Sequence, residues 1–121
     1  MTQSLAQIYL HIVFSTKDRW PFLKDKQFRE RLHGYLVGIC KNKECPSLAI
    51  GGVEDHVHIL CRFSKNIALK DFIRDLKRDF SVWIKEENPE LDGCYWQGGY
   101  GAFSISPGHI DGLIEYIADQ E

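Results

Sequence analysis

From Ile8 to Phe14, β-branched and aromatic residues follow one another with little interruption, which predicts a strand, and the polar Ser15 to Arg19 followed by Pro21 closes it in a loop. The period then changes. Phe28, Leu32, Tyr35, Leu36 and Ile39 recur at three- and four-residue steps, which predicts an amphipathic helix from Asp25 to about Cys40. Leu48-Ala49-Ile50 and His56 to Phe63 read as two short strands of a hairpin, with Gly51-Gly52 as the turn because glycine tolerates positive φ. Ala68 to Glu86 has the clearest helical period, and Asn88-Pro89 stops it because proline disfavours helical geometry in the residue before it. Tyr95 to Ile105, with glycines at 98, 99 and 101, reads as a loop entering a last strand. Ser106 as N-cap and Pro107 at the first helical position then open a final helix that runs to the C-terminus.

The order βαββαβα predicts an α+β fold: a ferredoxin-like or RRM-like antiparallel sheet with helices on one face and the other face open. A chain of 121 residues fits one domain, 1–121. Hydrophobic residues at 44% and charged residues at 26% exclude a disordered chain. The N-terminus has neither a basic leader nor an apolar run of the roughly 20 residues a spanning helix needs. A soluble cytoplasmic protein is therefore expected. Cys40, Cys45, Cys61 and Cys94 form no CxxC pair, which favours reduced thiols over a zinc site or a disulfide framework.

Strand alternation gives the first chemistry. It puts Val57, Ile59, Cys61 and Phe63 on one side of the fourth predicted element and His56, His58, Leu60 and Arg62 on the other. Two imidazoles project together from the less apolar side, where they either share a divalent cation or simply decorate an exposed sheet face. In the last helix Ile110, Leu113, Ile114 and Ile117 form the buried stripe, with Tyr116 and Gln120 one turn apart on its flank. By periodicity alone these two are a boundary tyrosine and an ordinary glutamine.

The net charge of −2 conceals a segregation within the long helix, where Lys70, Arg74, Lys77, Arg78 and Lys85 line one flank and Asp71, Asp75, Asp79 and Glu86 the other. Such a basic strip can hold a phosphate backbone, or the two flanks can pair with each other and with solvent. Tyr95, Trp96, Tyr100 and Phe103, set among glycines, can stack unpaired bases or fill core.

Together these stretches resemble the single-tyrosine HUH transposases of the smallest bacterial and archaeal insertion sequences. The likeness is carried by His11-Ile-Val-Phe-Ser-Thr-Lys17, by Gly52 to Leu60, by Leu76-Lys77 with Ser81, by Trp96 to Ser104 and by Tyr116-Ile-Ala-Asp-Gln-Glu121, in the family's order and over nearly the whole chain. The resemblance implies His56 and His58 as metal ligands, Gln120 as the third, Tyr116 as nucleophile, and Mg²⁺ or Mn²⁺ as the cation. It also implies a homodimer in which the tyrosine helix of one subunit completes the histidine site of the other, and recognition of DNA hairpins at an element's ends. Asp119 where asparagine is common, Gly112 within the tyrosine helix, and an end at Glu121 where relatives continue depart from the pattern.

The activity so implied is DNA transposition: metal-dependent cutting and rejoining of single-stranded DNA through a 5′-phosphotyrosine. Arg74, Lys77 and Arg78, with Lys70 and Lys17, are the candidate contacts to the DNA backbone. Two rival readings are a non-catalytic RRM-like nucleic-acid-binding module and a domesticated HUH nuclease that no longer mobilises its own gene.

Overall fold

A computed structural model describes residues 7–91 and 96–120. Its elements are β1 (Ile8–Ser15), α1 (Lys26–Asn42), β2 (Ser47–Val53), β3 (His56–Phe63), α2 (Leu69–Glu87), β4 (Gly101–Ile105) and α3 (Ile110–Ala118). The strands form one antiparallel sheet in the order β2-β3-β1-β4, so the two central strands are those with the densest apolar runs. This is the ferredoxin-like arrangement the element order predicts.

Alternation sorts the sheet into two faces. Ile12, Phe14, Val57, Ile59 and Cys61 point to one side, where they form the core with Leu32 and Leu36 of α1 and Phe72, Leu76 and Phe80 of α2. Asp25 caps α1 with its carboxylate, which accepts from the backbone N–H of Gln27 at 3.0 Å and of Phe28 at 3.5 Å. Cys40, Cys45 and Cys61 are free thiols buried in this core, and burial pushes Cys40 up to about 12, which keeps it protonated and unreactive. Cys94 and Tyr95 lie outside the described residues.

Three details differ from the sequence expectation. Gly51-Gly52 is not the hairpin turn: β2 runs through both glycines, and Glu54-Asp55 turns the chain. Ser106 makes no capping bond to the backbone; its Oγ lies 2.6 Å from His109 Nδ1, and Pro107–His109 form a 3₁₀ turn before α3 begins. The helices do not all share one face either. α1 and α2 cover the core side, whereas α3 packs on β2 and β3 from the other side, burying Ile117 and Leu60 away from the main core. The reason is steric: a Cβ on Gly51 would lie 2.6 Å from the Ile117 carbonyl oxygen, so only glycine admits the α3 backbone there. Half of the open face, over β1 and β4, is left uncovered by α3.

Candidate active site

The second face of the sheet carries the titratable groups. His58 pairs across the sheet with Gly51 on one side and Val13 on the other, and His56 with Val53 and Ser15, so both imidazoles stand at the end of β3 nearest the Glu54-Asp55 turn. Their ring centroids are 4.9 Å apart. α3 brings Tyr116 edge-on to His58, 5.9 Å between centroids, while leaving the phenol 51% exposed. Tyr116 and His58 thus meet within a single chain.

Each imidazole is fixed through Nδ1 by a different neighbour. His56 Nδ1 is 2.8 Å from Asp55 Oδ1, and Asp55 Oδ2 accepts from Arg19 Nε at 2.8 Å. The Arg19 guanidinium holds the Asp55 carboxyl below the usual carboxylate range, so it remains an acceptor and His56 donates from Nδ1. Arg19 reaches it from a backbone with positive φ at both Asp18 and Arg19 (55° and 59°), a conformation that costs about 1–3 kcal/mol in non-glycine residues. His58 Nδ1 faces His11 Nε2 at 2.9 Å. The remaining nitrogen of His58, Nε2, is buried without a hydrogen-bond partner among the described residues. A buried nitrogen with no protein partner beside a second imidazole whose Nδ1 is engaged offers two imidazole donors to a divalent cation, though among the described residues no three His, Cys, Asp or Glu side chains form a metal cluster.

A family model described as IS200-like transposase matches residues 4–120. The chain belongs to that family. Two solved structures share the fold of this transposase. One is a protein of Deinococcus radiodurans R1 provisionally assigned as a transposase, 22% identical, with a TM-score of 0.79 over 100% of this chain and 98% of that one. The other is a REP-associated tyrosine transposase bound to a REP hairpin, 14% identical, with a TM-score of 0.66 over 97% of this chain and 70% of that one. Among curated proteins there is no significant match.

Other residues singled out from the sequence are placed differently. Gln120 lies past the end of α3, its N–H bonded to the Ile117 carbonyl at 3.2 Å, and lines a cleft of about 280 Å³ with Glu30, His33, Ile50 and Gly52 that neither His56 nor His58 lines. The α2 strip sits across the sheet from the imidazoles, because α2 packs on the core face. Arg74 pairs with Asp71 and Asp75, and Arg78 with Asp75 and Asp79, at 3.1–3.4 Å. Lys70 is exposed on the same helix, and Lys17 is exposed just beyond β1, beside the His56 end of the sheet. Trp96 packs edge-on against Phe14 at 4.9 Å and belongs to the core, whereas Tyr100 and Phe103 stay exposed beside the uncovered half of the sheet.

Lys77 does something periodicity could not show. Its Nζ donates to the carbonyls of Gln97 at 2.9 Å and Gly99 at 2.8 Å, tying the glycine-rich loop to α2. Lys77→Ala is expected to cost about 1–2 kcal/mol, since bonds from a charged donor contribute more than neutral ones. Amide hydrogen exchange over 97–101 should quicken in that variant; unchanged exchange would show that the tether does not order the loop.

His11, Asp55 and Arg19 were assigned no role from the sequence. His11 shares the strand parity of Val13 and Ser15, so alternation in β1 puts it on the imidazole side, and Asp55 directly precedes His56. Those signals were available; the register that brings the His11 ring beside His58 was not.

Burial, reinforced by the neighbouring His56 and His11, pushes His58 down to about 4 from its ordinary 6.5. In the unfolded chain the same ring takes up a proton near 6.5, so between those values the unfolded state binds more protons. The contribution of His58 to stability is therefore complete above pH 6.5 and is lost as pH falls toward 4. Ring proton shifts of His58 followed by NMR in the metal-free protein should stay flat through pH 6, and a midpoint near 6.5 would contradict the burial seen here.

Proposed function

We propose that this transposase cuts and rejoins single-stranded DNA with Tyr116 as nucleophile and His56 and His58 as ligands of a divalent cation. The observation that supports it most is the contact of an exposed phenol with a buried imidazole whose Nε2 has no hydrogen-bond partner among the described residues. The phenolic oxygen of Tyr116 forms a bond to the scissile phosphorus as the bond to the 3′-oxygen breaks. The phenol proton passes to solvent and the leaving oxygen takes one up, which gives a 5′-phosphotyrosine and a free 3′-hydroxyl. Because the phosphodiester is exchanged and not hydrolysed, a second 3′-hydroxyl can reverse the step and join a new strand.

Mg²⁺ or Mn²⁺, when bound, would supply electrophilic stabilisation of the charge that builds on the non-bridging phosphate oxygens. His56 and His58 would hold it, and the family resemblance offers Gln120 as the third ligand. Arg19 and Asp55 keep the His56 ring in the tautomer that leaves Nε2 unprotonated. The contact of the phenol with His58 lies within one chain, and the homodimer the resemblance implies, in which the tyrosine helix of one subunit completes the histidine site of the other, is the alternative assembly.

A single-stranded substrate fits the uncovered half of the sheet, where exposed Phe103 and Tyr100 offer rings to unpaired bases. Hairpin recognition is suggested by the REP hairpin bound to the structural neighbour. The test is incubation with labelled random single strands and Mg²⁺ or Mn²⁺, followed by a denaturing gel. A protein-linked product is expected; binding without any such product would favour a non-catalytic module.

A further inference from the structure

The 2.9 Å contact between His11 Nε2 and His58 Nδ1 joins two ring nitrogens, and such a bond needs one proton carried by one of them. His58 decides which. Its side chain is buried, and its Nε2 has no hydrogen-bond partner among the described residues. Either tautomer leaves Nε2 without a protein partner among the described residues, but a proton there would bar a cation, whereas a bare lone pair is what a divalent cation can take up. A proton on Nδ1 has the lone pair of His11 Nε2 to receive it. The two ring planes are inclined by only 17°, so the N–H and the lone pair can meet close to the plane of both rings. His11 is itself held in place, between His58 at 5.1 Å and Phe103 at 6.4 Å.

We infer that His11 is the positioning residue of the metal centre: by accepting at Nε2 it keeps the His58 proton on Nδ1 and leaves His58 Nε2 as a bare lone pair for a divalent cation. This rests on the proposed reading of His58 as a ligand. His11 is not a ligand, because the nitrogen it turns toward His58 is occupied by the bond. The centre is therefore oriented asymmetrically. A carboxylate anchored by Arg19 receives the His56 proton at the rim, and a neutral imidazole receives the His58 proton in the sheet, where a buried carboxylate would cost far more.

Nitrogen-15 spectra of the metal-free protein are expected to show His58 protonated on Nδ1 and bare on Nε2. Titration with Mn²⁺ alone, read by electron paramagnetic resonance without DNA, should give about 10–100-fold weaker binding for His11→Leu. His11→Gln, whose side-chain oxygen can accept the same bond, should bind within a few-fold of wild type and keep the His58 tautomer. A wild-type His58 protonated on Nε2 overturns the inference whether or not either variant folds. So does a folded His11→Leu that binds Mn²⁺ like the wild type. Wild-type protein that binds no Mn²⁺ would overturn the metal reading itself; the tautomer, measured without metal, tells that failure apart.

Discussion

Tyr116→Phe is expected to lose the covalent protein–DNA product entirely while keeping the fold and the affinity for single strands. The ring edge that meets His58 is retained in phenylalanine, and the hydroxyl belongs to a side chain that is 51% exposed, so the stability change should stay within about 0.5 kcal/mol. Only the oxygen proposed to attack goes. Deleting a nucleophile elsewhere lowers turnover by about 10⁴–10⁶-fold, and no neighbouring group on or just after α3 can substitute: Asp111, Glu115 and Asp119 are carboxylates, weaker nucleophiles toward a phosphodiester anion. Measured adduct formation on a denaturing gel, paired with filter binding of the same labelled strand, separates chemistry from affinity. An adduct that persists in the variant would remove Tyr116 from the mechanism, and a loss of binding in parallel with cleavage would mean that the phenol holds DNA and does not attack it.

What the sequence revealed and what it hid divide along a physical line. His56 and His58 were legible because strand alternation is a local rule, and the structure places both on the face opposite Val57 and Ile59 as that rule demands. The element order was legible for the same reason, down to Asp25 at the head of α1. Gly51 was misread as a turn residue because a glycine declares only that a side chain is unwelcome, and the cause here is a helix backbone more than sixty positions later in the chain. Lys77 looked like one more charge on a basic flank; its two carbonyl partners belong to a loop whose position depends on β4 pairing with β1. His11 was hidden similarly, since its significance arises only from the register between β1 and β3 that brings its ring to His58. Tertiary proximity, not residue type, separates the legible part of the site from the rest.

That same proximity makes Gly51 the second residue whose change should be felt strongly in activity. In Gly51→Ala the new methyl would sit 2.6 Å from the Ile117 carbonyl oxygen and 2.8 Å from its Cγ2, distances that require backbone to move because one of the atoms met is main chain. α3 holds to the sheet largely through Ile117 over β2 and β3, so it is the element that shifts. Ile117 directly follows Tyr116, and a displacement of the order of 1 Å at an attacking group costs about 10²-fold in rate. Overpacking of this kind costs about 1–3 kcal/mol, and the main core on the other face of the sheet is untouched, so the variant should remain folded. Gly34→Ala is the matched control: Gly34 is exposed on α1 with nothing within 4 Å of the added carbon, and the change should gain about 0.5–1 kcal/mol with unchanged cleavage. The measurement is the rate of adduct formation for both variants at saturating single strand, beside their thermal midpoints. Equal rates for Gly51→Ala and wild type would mean that α3 need not be seated on β2 for Tyr116 to attack, which would leave the phenol–imidazole contact without a catalytic consequence.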